Sequence, residues 1–364
     1  MPPLLAAGAL LRSHGHDVEV LASAATYAAA ERAGFATVRF ARAPEPDAGV
    51  AFERQAHVLM AAAAGRELAL DVRERLTRRR PDLAIFDCML PAAAAGAEAT
   101  RTRAVSLVHF LYGSARRVML EHASTWTTDL ATLNATRRAL GLAPLGGGPA
   151  AWESCELVLV TAPRWLDADA GFPPKVVHAG PLGIRTPERR AGRWAPRVLL
   201  SFSTTVMDGQ PALIRDACAA VASTGARALL TLGPAVAPRD VDVPPGVEIL
   251  QWADHDELLP GCAAVVTHAG LGTTLRALAH GIPLLMLPLG RDQHFNATRV
   301  TELGAGIRLP ADVGLDRIRA ALSELLGDPG FAASASRLAD RIARDRPDRR
   351  AIDALERVAG SRDG

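Results

Sequence analysis

The sequence predicts an α/β protein made of two facing, doubly wound domains with a cleft between them. Short apolar runs of β type alternate with helical segments along the chain, which is typical of parallel sheets covered by helices. The alternation stops once, in a Pro-containing stretch without apolar periodicity at residues 183–196, which we interpret as a linker. A length of 364 residues is sufficient for a domain of ordinary size on each side of it.

The composition is that of a globular protein without a marked charge. Hydrophobic residues make up 49% of the chain and the formal net charge is +2, so no nucleic-acid partner is expected. The 4 cysteines form no C-x-x-C pair, which argues against structural disulfides and a zinc site. No apolar stretch reaches membrane-spanning length and no signal peptide is recognisable, so we expect a cytoplasmic monomer or dimer.

The first domain, predicted at residues 1–182, begins with a helical pattern at Pro2–Leu11. A doubly wound domain normally starts with a strand that takes the middle of its sheet, so we expect this domain to lack its first strand. The following segments are predicted as a strand, a helix and a helical stretch interrupted by Gly65: Val18–Leu21, Thr26–Ala33 and Ala51–Arg80.

Two strand ends of this domain carry polar side chains. The buried strand Pro81–Asp87 ends in a carboxylate, which can hold a neighbouring imidazole in the tautomer that accepts a proton. The local sequence fits equally well with Asp87 capping a helix that starts near Pro91. The next strand, Ala104–His109, ends in a histidine that is an alternative general base.

An apolar pocket for an acceptor molecule is predicted at the same sheet edge. Phe110 and Trp126 are the proposed acceptor contacts beside His109. Taken singly, each apolar side chain of this group is more typical of a core position. The other members of the group are Leu111, Tyr112, Met119 and Trp152.

The second domain, predicted at residues 197–345, starts with the strand Arg197–Phe202. The hydroxyl run Ser203-Thr204-Thr205 follows it, and by itself this run favours a helix cap. Helices are predicted further along and in a tail at residues 346–364: Pro211–Thr224, Leu315–Leu326, Phe331–Arg344 and Ala351–Val358.

The strongest functional signal is a glycine turn between a strand, Ala263–Thr267, and an amphipathic helix. The first N–H groups of a helix lack intrahelical partners and carry partial positive charge, so an anion is expected there. Gly270 and Gly272 would let the backbone approach a diphosphate, and three side chains could donate to its oxygens: His268, Thr273 and Thr274. A glycine turn alone fits equally well with a tight turn of no further function.

A second apolar strand, Leu284–Leu287, brings Asp292 and Gln293 to the same carboxyl edge, where ligands of open α/β sheets bind. A carboxylate beside a carboxamide suits the vicinal hydroxyls of a sugar. The alternative from local sequence is that Asp292 caps the next helix and Gln293 is solvated.

The chain carries the pattern W-x(15)-H-A-G-x-G-T-T-x(3)-L-x(2)-G-I-P-x(4)-P-x(3)-D-Q-x(2)-N-A. This pattern resembles the donor-binding signature of glycosyltransferases with two Rossmann-like domains, the GT-B fold. Within them it resembles the family of bacterial antibiotic and macrolide glycosyltransferases and UDP-glycosyltransferases. The resemblance implies that Trp252 stacks on the nucleotide base, that His268 and Thr273 hold the diphosphate with Ser203 and Thr204 beside it, and that Asp292 and Gln293 hold the sugar.

Two positions depart from that family. The segment beginning at Pro3 resembles the stretch after the family's N-terminal G-H-x-x-P turn, so its base histidine would lie before Met1, while the aspartate that serves this base matches Asp87. Arg276 stands where plant members carry a glutamate for the ribose hydroxyls, which favours a deoxyribose nucleotide.

The resemblance implies an inverting transfer of a sugar from a dTDP- or UDP-sugar to a hydrophobic, hydroxylated small molecule in natural-product or antibiotic biosynthesis. No cofactor and no metal ion are expected. The alternative is a catalytically silent sugar-nucleotide-binding or scaffold protein that lacks the N-terminal base. A nucleotide-sugar epimerase is disfavoured because the sequence shows no cluster of acidic catalytic residues. The acceptor and the sugar stay open.

Overall fold

A computed structural model describes most of the chain. The described residues are 2–45, 50, 52–122, 124–125, 128–167, 171–185, 196–203, 205, 207–233 and 236–360. Trp126, Thr204 and most of the predicted linker lie outside them.

The chain folds into two compact units. Unit 1 comprises Met1–Asp47, Gln55–Gly183 and Arg346–Gly364, and unit 2 comprises Ala48–Arg54 and Ile184–Asp345. The end of the chain therefore groups with its beginning.

Strands of both units are short. In chain order they are β1 (Glu19–Ala22), β2 (Ala36–Arg39), β3 (Ala84–Asp87), β4 (Ala104–Val108), β5 (Ser124–Thr125), β6 (Thr128–Asp129), β7 (Leu157–Val160), β8 (Val176–His178), β9 (Arg197–Ser201), β10 (Arg227–Thr231), β11 (Glu248–Leu250), β12 (Cys262–Thr267), β13 (Leu284–Met286) and β14 (Gly306–Arg308).

Helices connect these strands. In chain order they are α1 (Pro2–Ser13), α2 (Ala24–Arg32), α3 (Phe52–Ala63), α4 (Arg66–Arg79), α5 (Pro91–Thr100), α6 (Tyr112–Glu121), α7 (Leu130–Ala139), α8 (Ala150–Glu153), α9 (Gln210–Ala222), α10 (His255–Leu258), α11 (Leu271–Ala279), α12 (Gln293–Glu302), α13 (Leu315–Gly327), α14 (Pro329–Asp345) and α15 (Pro347–Gly360). A short 3₁₀ turn lies at Pro238–Asp240.

The helical stretch predicted at Ala51–Arg80 is divided in two by Gly65. This glycine has extended backbone angles and is the N-cap residue of α4. A Cβ atom at its position would lie 3.0 Å from the carbonyl oxygen of Ala61 and 3.1 Å from that of Ala62. A side chain at this position would crowd the last turn of α3, which favours glycine between the two helices.

Unit 1 contains a four-stranded parallel sheet in the order β3-β4-β7-β8 and a two-stranded parallel sheet of β1 and β2. Within the described residues these two sheets share no hydrogen-bonded strand. The last helix, α15, packs on α1 and buries Ile352 and Leu355. Ala7 of α1 and Leu107 of β4 belong to the same apolar cluster as Leu355.

Unit 2 contains a six-stranded, all-parallel sheet in the order β11-β10-β9-β12-β13-β14. The sheet is buried by helices such as α9 and α13, so its central strands are almost entirely apolar. Thr267 of β12 pairs with Ser201 of β9 and with Met286 of β13. The three strands consequently end at the same level, and the segments that follow them lie side by side.

The observed parallel sheets agree with the predicted α/β class. The cysteines at positions 88, 155, 218 and 262 are free thiols. In the part of the chain that the structure describes, no helix is both long and apolar enough to cross a membrane.

Candidate functional site

The glycine turn after β12 leads directly into α11, as the sequence predicts. Ala269 adopts a left-handed conformation with φ of 67°, which reverses the chain after the strand. Gly270 is the N-cap residue of α11 and provides no side-chain cap. The helix therefore begins with backbone donors that no capping side chain satisfies, next to the carboxyl ends of the central strands.

The two glycines of the turn have different surroundings. A Cβ atom on Gly270 would lie 2.6 Å from Nε2 of His268, so only glycine fits beside this imidazole. Gly272 is exposed in the first helical turn, and a Cβ atom there would meet nothing within 4 Å. The open space beside Gly272 is where a ligand could approach the helix start.

Two threonines follow in the first turn of α11. Thr273 is half-buried. The Oγ1 atom of Thr274 is buried and has no hydrogen-bond partner within the described residues. A buried hydroxyl without a partner is unfavourable, so this position could gain from an added acceptor.

His268 lies beneath the turn with 8% of its surface exposed. Burial and the positive charge of Arg291 lower the pKa of His268 to about 4, against a hydrogen bond that the imidazole donates to the backbone carbonyl of Ser201. The imidazole is therefore neutral at pH 7. It can donate one hydrogen bond to an anion but supplies no positive charge.

The segment after β9 contributes hydroxyl groups to the same edge. Ser203 is buried, and its Oγ atom lies 2.9 Å from Oγ1 of Thr205. Nη2 of Arg291 donates to both, at 3.4 Å to Ser203 and 3.0 Å to Thr205. No role of Arg291 is predicted from the sequence, where only its position directly before Asp292 indicates that it lies near the site.

Asp292 and Gln293 lie at the start of α12. The structure does not support the alternatives that the Asp292 side chain caps this helix and that Gln293 is solvated. Asp292 occupies the N-cap position without a side-chain cap bond, and its Oδ2 atom accepts a hydrogen bond of 2.8 Å from Asn296. Gln293 is buried rather than solvated, and its Oε1 atom accepts from the backbone N–H groups of Leu289 and Gly290. The carboxamide thus fixes the loop that presents Asp292.

Asn296 joins the two halves of this site. Its Nδ2 atom donates to the carbonyl oxygen of Ala269 at 2.9 Å as well as to Asp292. One buried amide thereby holds the glycine turn at a fixed distance from the start of α12. Sequence reasoning included Asn296 in the motif but assigned it no function, because its partner is 27 residues away.

Trp252 is 76% exposed and lies in the loop between β11 and α10, so one face of its indole is available for stacking. Arg276 contacts a carboxylate of the same unit. Its Nε atom lies 3.4 Å from Oδ1 of Asp256, which also accepts from His280 at 3.2 Å. Burial alone would raise the pKa of Asp256, but its bonds from His280 and Arg185 and the charge of Arg276 lower it. A glutamate at position 276 would face that carboxylate.

In unit 1 the structure brings Asp87 and His109 together. Nε2 of His109 donates to Oδ1 of Asp87 at 3.0 Å, and the backbone N–H of Met89 donates to the same oxygen at 2.9 Å. The helix α5 has Leu90 as its N-cap residue and no side-chain cap, so the alternative that Asp87 caps this helix is wrong. The two predicted strand-end residues form one hydrogen-bonded pair.

The protonation states of this pair are coupled. Burial opposes the charge on each group, yet His109 lowers the pKa of Asp87 well below its usual range. Burial likewise opposes the imidazolium, but Cys88 and Asp87 raise the pKa of His109 well above its usual value. The carboxylate of Asp87 thus stabilises the protonated form of His109 against the effect of burial.

Cys88 lies beside Asp87 and His109, and the spacing of the three residues in the sequence does not predict that they form a cluster. One donor atom each from Asp87, Cys88 and His109 lie within 4.8 Å of one another, so these residues could hold a metal ion. Burial raises the pKa of the Cys88 thiol, which disfavours the thiolate that a metal would need. The sequence predicts no metal site here, because the cysteines lack metal-ligand spacing and the three residues meet only through the pairing of β3 with β4.

The predicted acceptor pocket needs correction. Tyr112 and Trp152 are fully buried core residues; Nε1 of Trp152 donates to the carbonyl oxygen of Cys88 at 2.8 Å. Phe110 is also buried, with its ring centroid 4.3 Å from that of His109. Trp126 lies outside the described residues. Only Phe110 and His109 of the predicted contacts are placed together.

Comparison with known proteins gives consistent matches. Residues 216–356 match the family model described as erythromycin biosynthesis protein CIII-like, C-terminal domain. The L-demethylnoviosyl transferase of Streptomyces niveus is 30% identical over 269 residues, which cover 72% of this chain and 68% of that protein. The TDP-daunosamine transferase of Streptomyces peucetius is 31% identical over 190 residues, 50% of this chain and 44% of that protein.

Other matches are shorter. The elloramycin glycosyltransferase of Streptomyces olivaceus is 41% identical over 100 residues, 28% of this chain and 25% of that protein. The match thus spans a quarter of that relative's length.

Solved structures match over nearly the whole chain. The kitacinnamycin glycotransferase has a TM-score of 0.77 at 24% identity, covering 98% of this chain and 95% of that one. The glycosyltransferase VinC in complex with DTDP has a TM-score of 0.71 at 22% identity, covering 98% and 96%. This likeness confirms the predicted fold class, two Rossmann-like α/β domains of the GT-B type.

Proposed function

The chain belongs to the family of macrolide and other natural-product glycosyltransferases, and on this premise we propose that it transfers a sugar from a nucleoside-diphosphate sugar to a hydroxyl group of a small natural product. Unit 2 binds the donor and unit 1 binds the acceptor. The one observation that carries the proposal is the uncapped start of α11, with Gly272 open to solvent and Gly270 pressed against His268.

The donor is a dTDP-activated deoxysugar. The daunosamine transferase is named for a TDP-sugar, and VinC was solved with DTDP. In this chain Asp256 engages Arg276 at the position where plant relatives hold ribose hydroxyls with glutamate. A site without that carboxylate does not select for the 2′-hydroxyl group, which a deoxyribose nucleotide lacks. UDP-sugars are the alternative donors for the test below.

Each donor contact has a specified role. The indole of Trp252 stacks on the base, and the backbone donors of the α11 start bind the diphosphate together with Thr273, Thr274 and the neutral His268. Asp292 accepts hydrogen bonds from the sugar hydroxyls, while Asn296 fixes its carboxylate. Gln293 contributes by holding the loop in front of Asp292. Ser203 and Thr204 contact a phosphate oxygen.

The acceptor hydroxyl loses its proton in unit 1. His109 takes this proton, and Asp87 orients the imidazole and stabilises the positive charge that forms. The deprotonated oxygen attacks the anomeric carbon from the side opposite the diphosphate, so the transfer inverts the configuration there. The proposed reaction uses the nucleotide sugar alone, without a cofactor or a metal ion.

The proposal is tested in two steps with the purified chain. Isothermal titration with dTDP and UDP measures donor binding, with dTDP expected to bind more tightly. Incubation with dTDP- or UDP-sugars and a panel of hydroxylated polyketide and aromatic aglycones, followed by mass spectrometry, detects a product heavier by one sugar. Release of free sugar without this product would argue for hydrolysis instead of transfer.

The two steps also separate the proposal from its alternative. A protein that binds nucleoside diphosphate but transfers sugar to none of the aglycones would be a sugar-nucleotide-binding protein. Chelation of metal ions should leave transfer unchanged. A zinc ion held by Asp87, Cys88 and His109 would engage the imidazole of the proposed base, so added zinc should inhibit.

A further inference from the structure

We propose that Arg291 is the cation that stabilises the departing diphosphate, in a clamp that it forms with the hydroxyl groups of Ser203 and Thr205. This inference rests on the proposed function of unit 2 and names one more residue for its reaction.

The first support is the contact geometry. Nη2 of Arg291 lies 3.0 Å from Oγ1 of Thr205 and 3.4 Å from Oγ of Ser203. A guanidinium has five N–H donors in a planar fork, so it can engage several acceptors at the same time. Both hydroxyl oxygens accept from the guanidinium, and the hydroxyl whose hydrogen is not donated within the Ser203–Thr205 pair can donate to a phosphate oxygen.

The second support is the position of this group in the sheet. Arg291 follows β13, and Ser203 and Thr205 follow β9, on either side of β12 with its glycine turn. The guanidinium therefore reaches across the carboxyl end of β12 to the segment after β9. It crosses the edge at which the diphosphate meets the start of α11.

The backbone of Arg291 is adapted to this reach. Its φ angle is 54°, a left-handed conformation that residues other than glycine, asparagine and aspartate seldom adopt. Gln293 bonds to the two residues before it, Leu289 and Gly290, and fixes the loop in this conformation. Met207, at 3.5 Å from Nη2, supports the guanidinium from the β9 side.

The third support is the distribution of charge. In the segments that directly follow β9, β12 and β13, residues 202–205, 268–272 and 287–293, Arg291 is the only Arg or Lys. His268 is neutral because its pKa is lowered to about 4. The helix start offers only partial charge. A full positive charge among the residues of these segments therefore comes from Arg291.

This charge acts on the step that breaks the donor. The bond between the anomeric carbon and the β-phosphate oxygen breaks, and its electron pair stays on that oxygen. The acceptor oxygen forms the new bond to the anomeric carbon, and its proton passes to His109. The nucleoside diphosphate gains one negative charge in the process, so a fixed cation stabilises the transition state more than the bound donor.

The test compares Arg291→Gln and Arg291→Lys with the parent protein. Arg227→Gln is the matched control, because Arg227 begins β10 at the opposite end of the same sheet and is exposed. Titration with dTDP, UDP and the free nucleosides separates phosphate contacts from base contacts. Steady-state transfer kinetics separate kcat from KM, and thermal unfolding checks that each variant is folded.

We expect Arg291→Gln to weaken binding of the nucleoside diphosphates by about 10- to 100-fold, the range for one charge-assisted hydrogen bond, and to leave nucleoside binding unchanged. The kcat of transfer should fall by a larger factor than KM rises. Arg291→Lys should recover part of the lost affinity and part of the lost kcat, because lysine keeps the positive charge but lacks the planar, bidentate donors of a guanidinium. Arg227→Gln should behave like the parent.

Two outcomes would overturn the inference: unchanged diphosphate binding and kcat in a folded Arg291→Gln variant, or equal losses for nucleoside and nucleoside diphosphate. Either result leaves the proposed function standing if the parent still binds dTDP or UDP. Failure of the parent protein to bind any nucleoside diphosphate would instead remove the proposed function itself.

Discussion

His109 and Asp87 are joined by a hydrogen bond of 3.0 Å, although 22 residues separate them in the sequence. The pairing of β3 with β4 explains the contact, because Asp87 lies opposite Leu107 and His109 follows two residues later. The parallel register thus brings two strand-end residues into one hydrogen-bonded pair.

Replacing Asp87 by asparagine should change the pH dependence of transfer. Asp87 helps to raise the pKa of His109, whereas burial lowers it, so Asp87→Asn moves this pKa down. Because the base must be neutral, kcat/KM rises with pH through that pKa, and the rise should shift to lower pH in the variant. The plateau rate should fall by about 100-fold or more, since the imidazole is no longer oriented.

The control for this pH profile is Asp82→Asn, which removes an exposed carboxylate just before β3. Its profile should match that of the parent. A rise at the same pH in Asp87→Asn and in the parent would show that Asp87 does not set the basicity of the catalytic group.

Replacing Gly272 by alanine should block the donor without harming the fold. A Cβ atom there meets no protein atom within 4 Å, and alanine favours a helix over glycine. The methyl group would fill the space that a diphosphate needs, so affinity for dTDP should fall by about tenfold or more. Gly327→Ala is the matched control, because it too lies in a helix with open space around it. Equal affinities for all three proteins would place the diphosphate elsewhere.

Replacing Asn296 by alanine should weaken both stability and donor binding. The change removes two hydrogen bonds and leaves the buried carbonyl of Ala269 without its partner. The free energy of unfolding should fall by about 1–3 kcal/mol in urea titrations. Thr298→Val on the same helix is the comparison, and it should keep the parent's donor affinity. A stable Asn296→Ala variant with full affinity would contradict this positioning role.

Acid should destabilise the protein through His268. Its pKa falls from 6.5 in an ordinary environment to about 4 in the fold, so the unfolded chain binds the proton more strongly between these values. The free energy of unfolding therefore decreases as the pH is lowered from 6.5 toward 4, by up to about 3 kcal/mol from this group. His268→Gln should remove that part of the decrease, and His14→Gln, at an exposed site, should not. Urea unfolding at several pH values measures the free energy of unfolding of each protein. The same pH dependence of this free energy in His268→Gln and in the parent would mean that His268 is not held neutral by burial.

The fold and the strand–turn–helix unit of β12 and α11 could be predicted because the sequence signals for them are local. An apolar run followed by glycine and a helical pattern fixes β12 and α11 nearly to the residue, since burial of both strand faces and the need for a turn act over short distances. The same holds for β13, which is followed by Asp292 at the expected edge.

The remaining site residues depend on contacts between distant segments. Asn296 bonds to Ala269, and Arg291 to Ser203, through the order of strands in the sheet. No pattern of spacing reveals these pairs. Tyr112 and Trp152 look alike in sequence whether they face a ligand or the core, and the structure buries both completely.

The most direct test of the donor site is calorimetric titration of the folded parent protein and of Gly272→Ala with dTDP and UDP. The parent should bind at least one of them in a 1:1 complex, and the variant, with an unchanged unfolding temperature, should bind it at least about tenfold more weakly. Absence of saturable binding to the parent, or equal binding to both proteins, would contradict the claim that the start of α11 holds the diphosphate of a sugar donor.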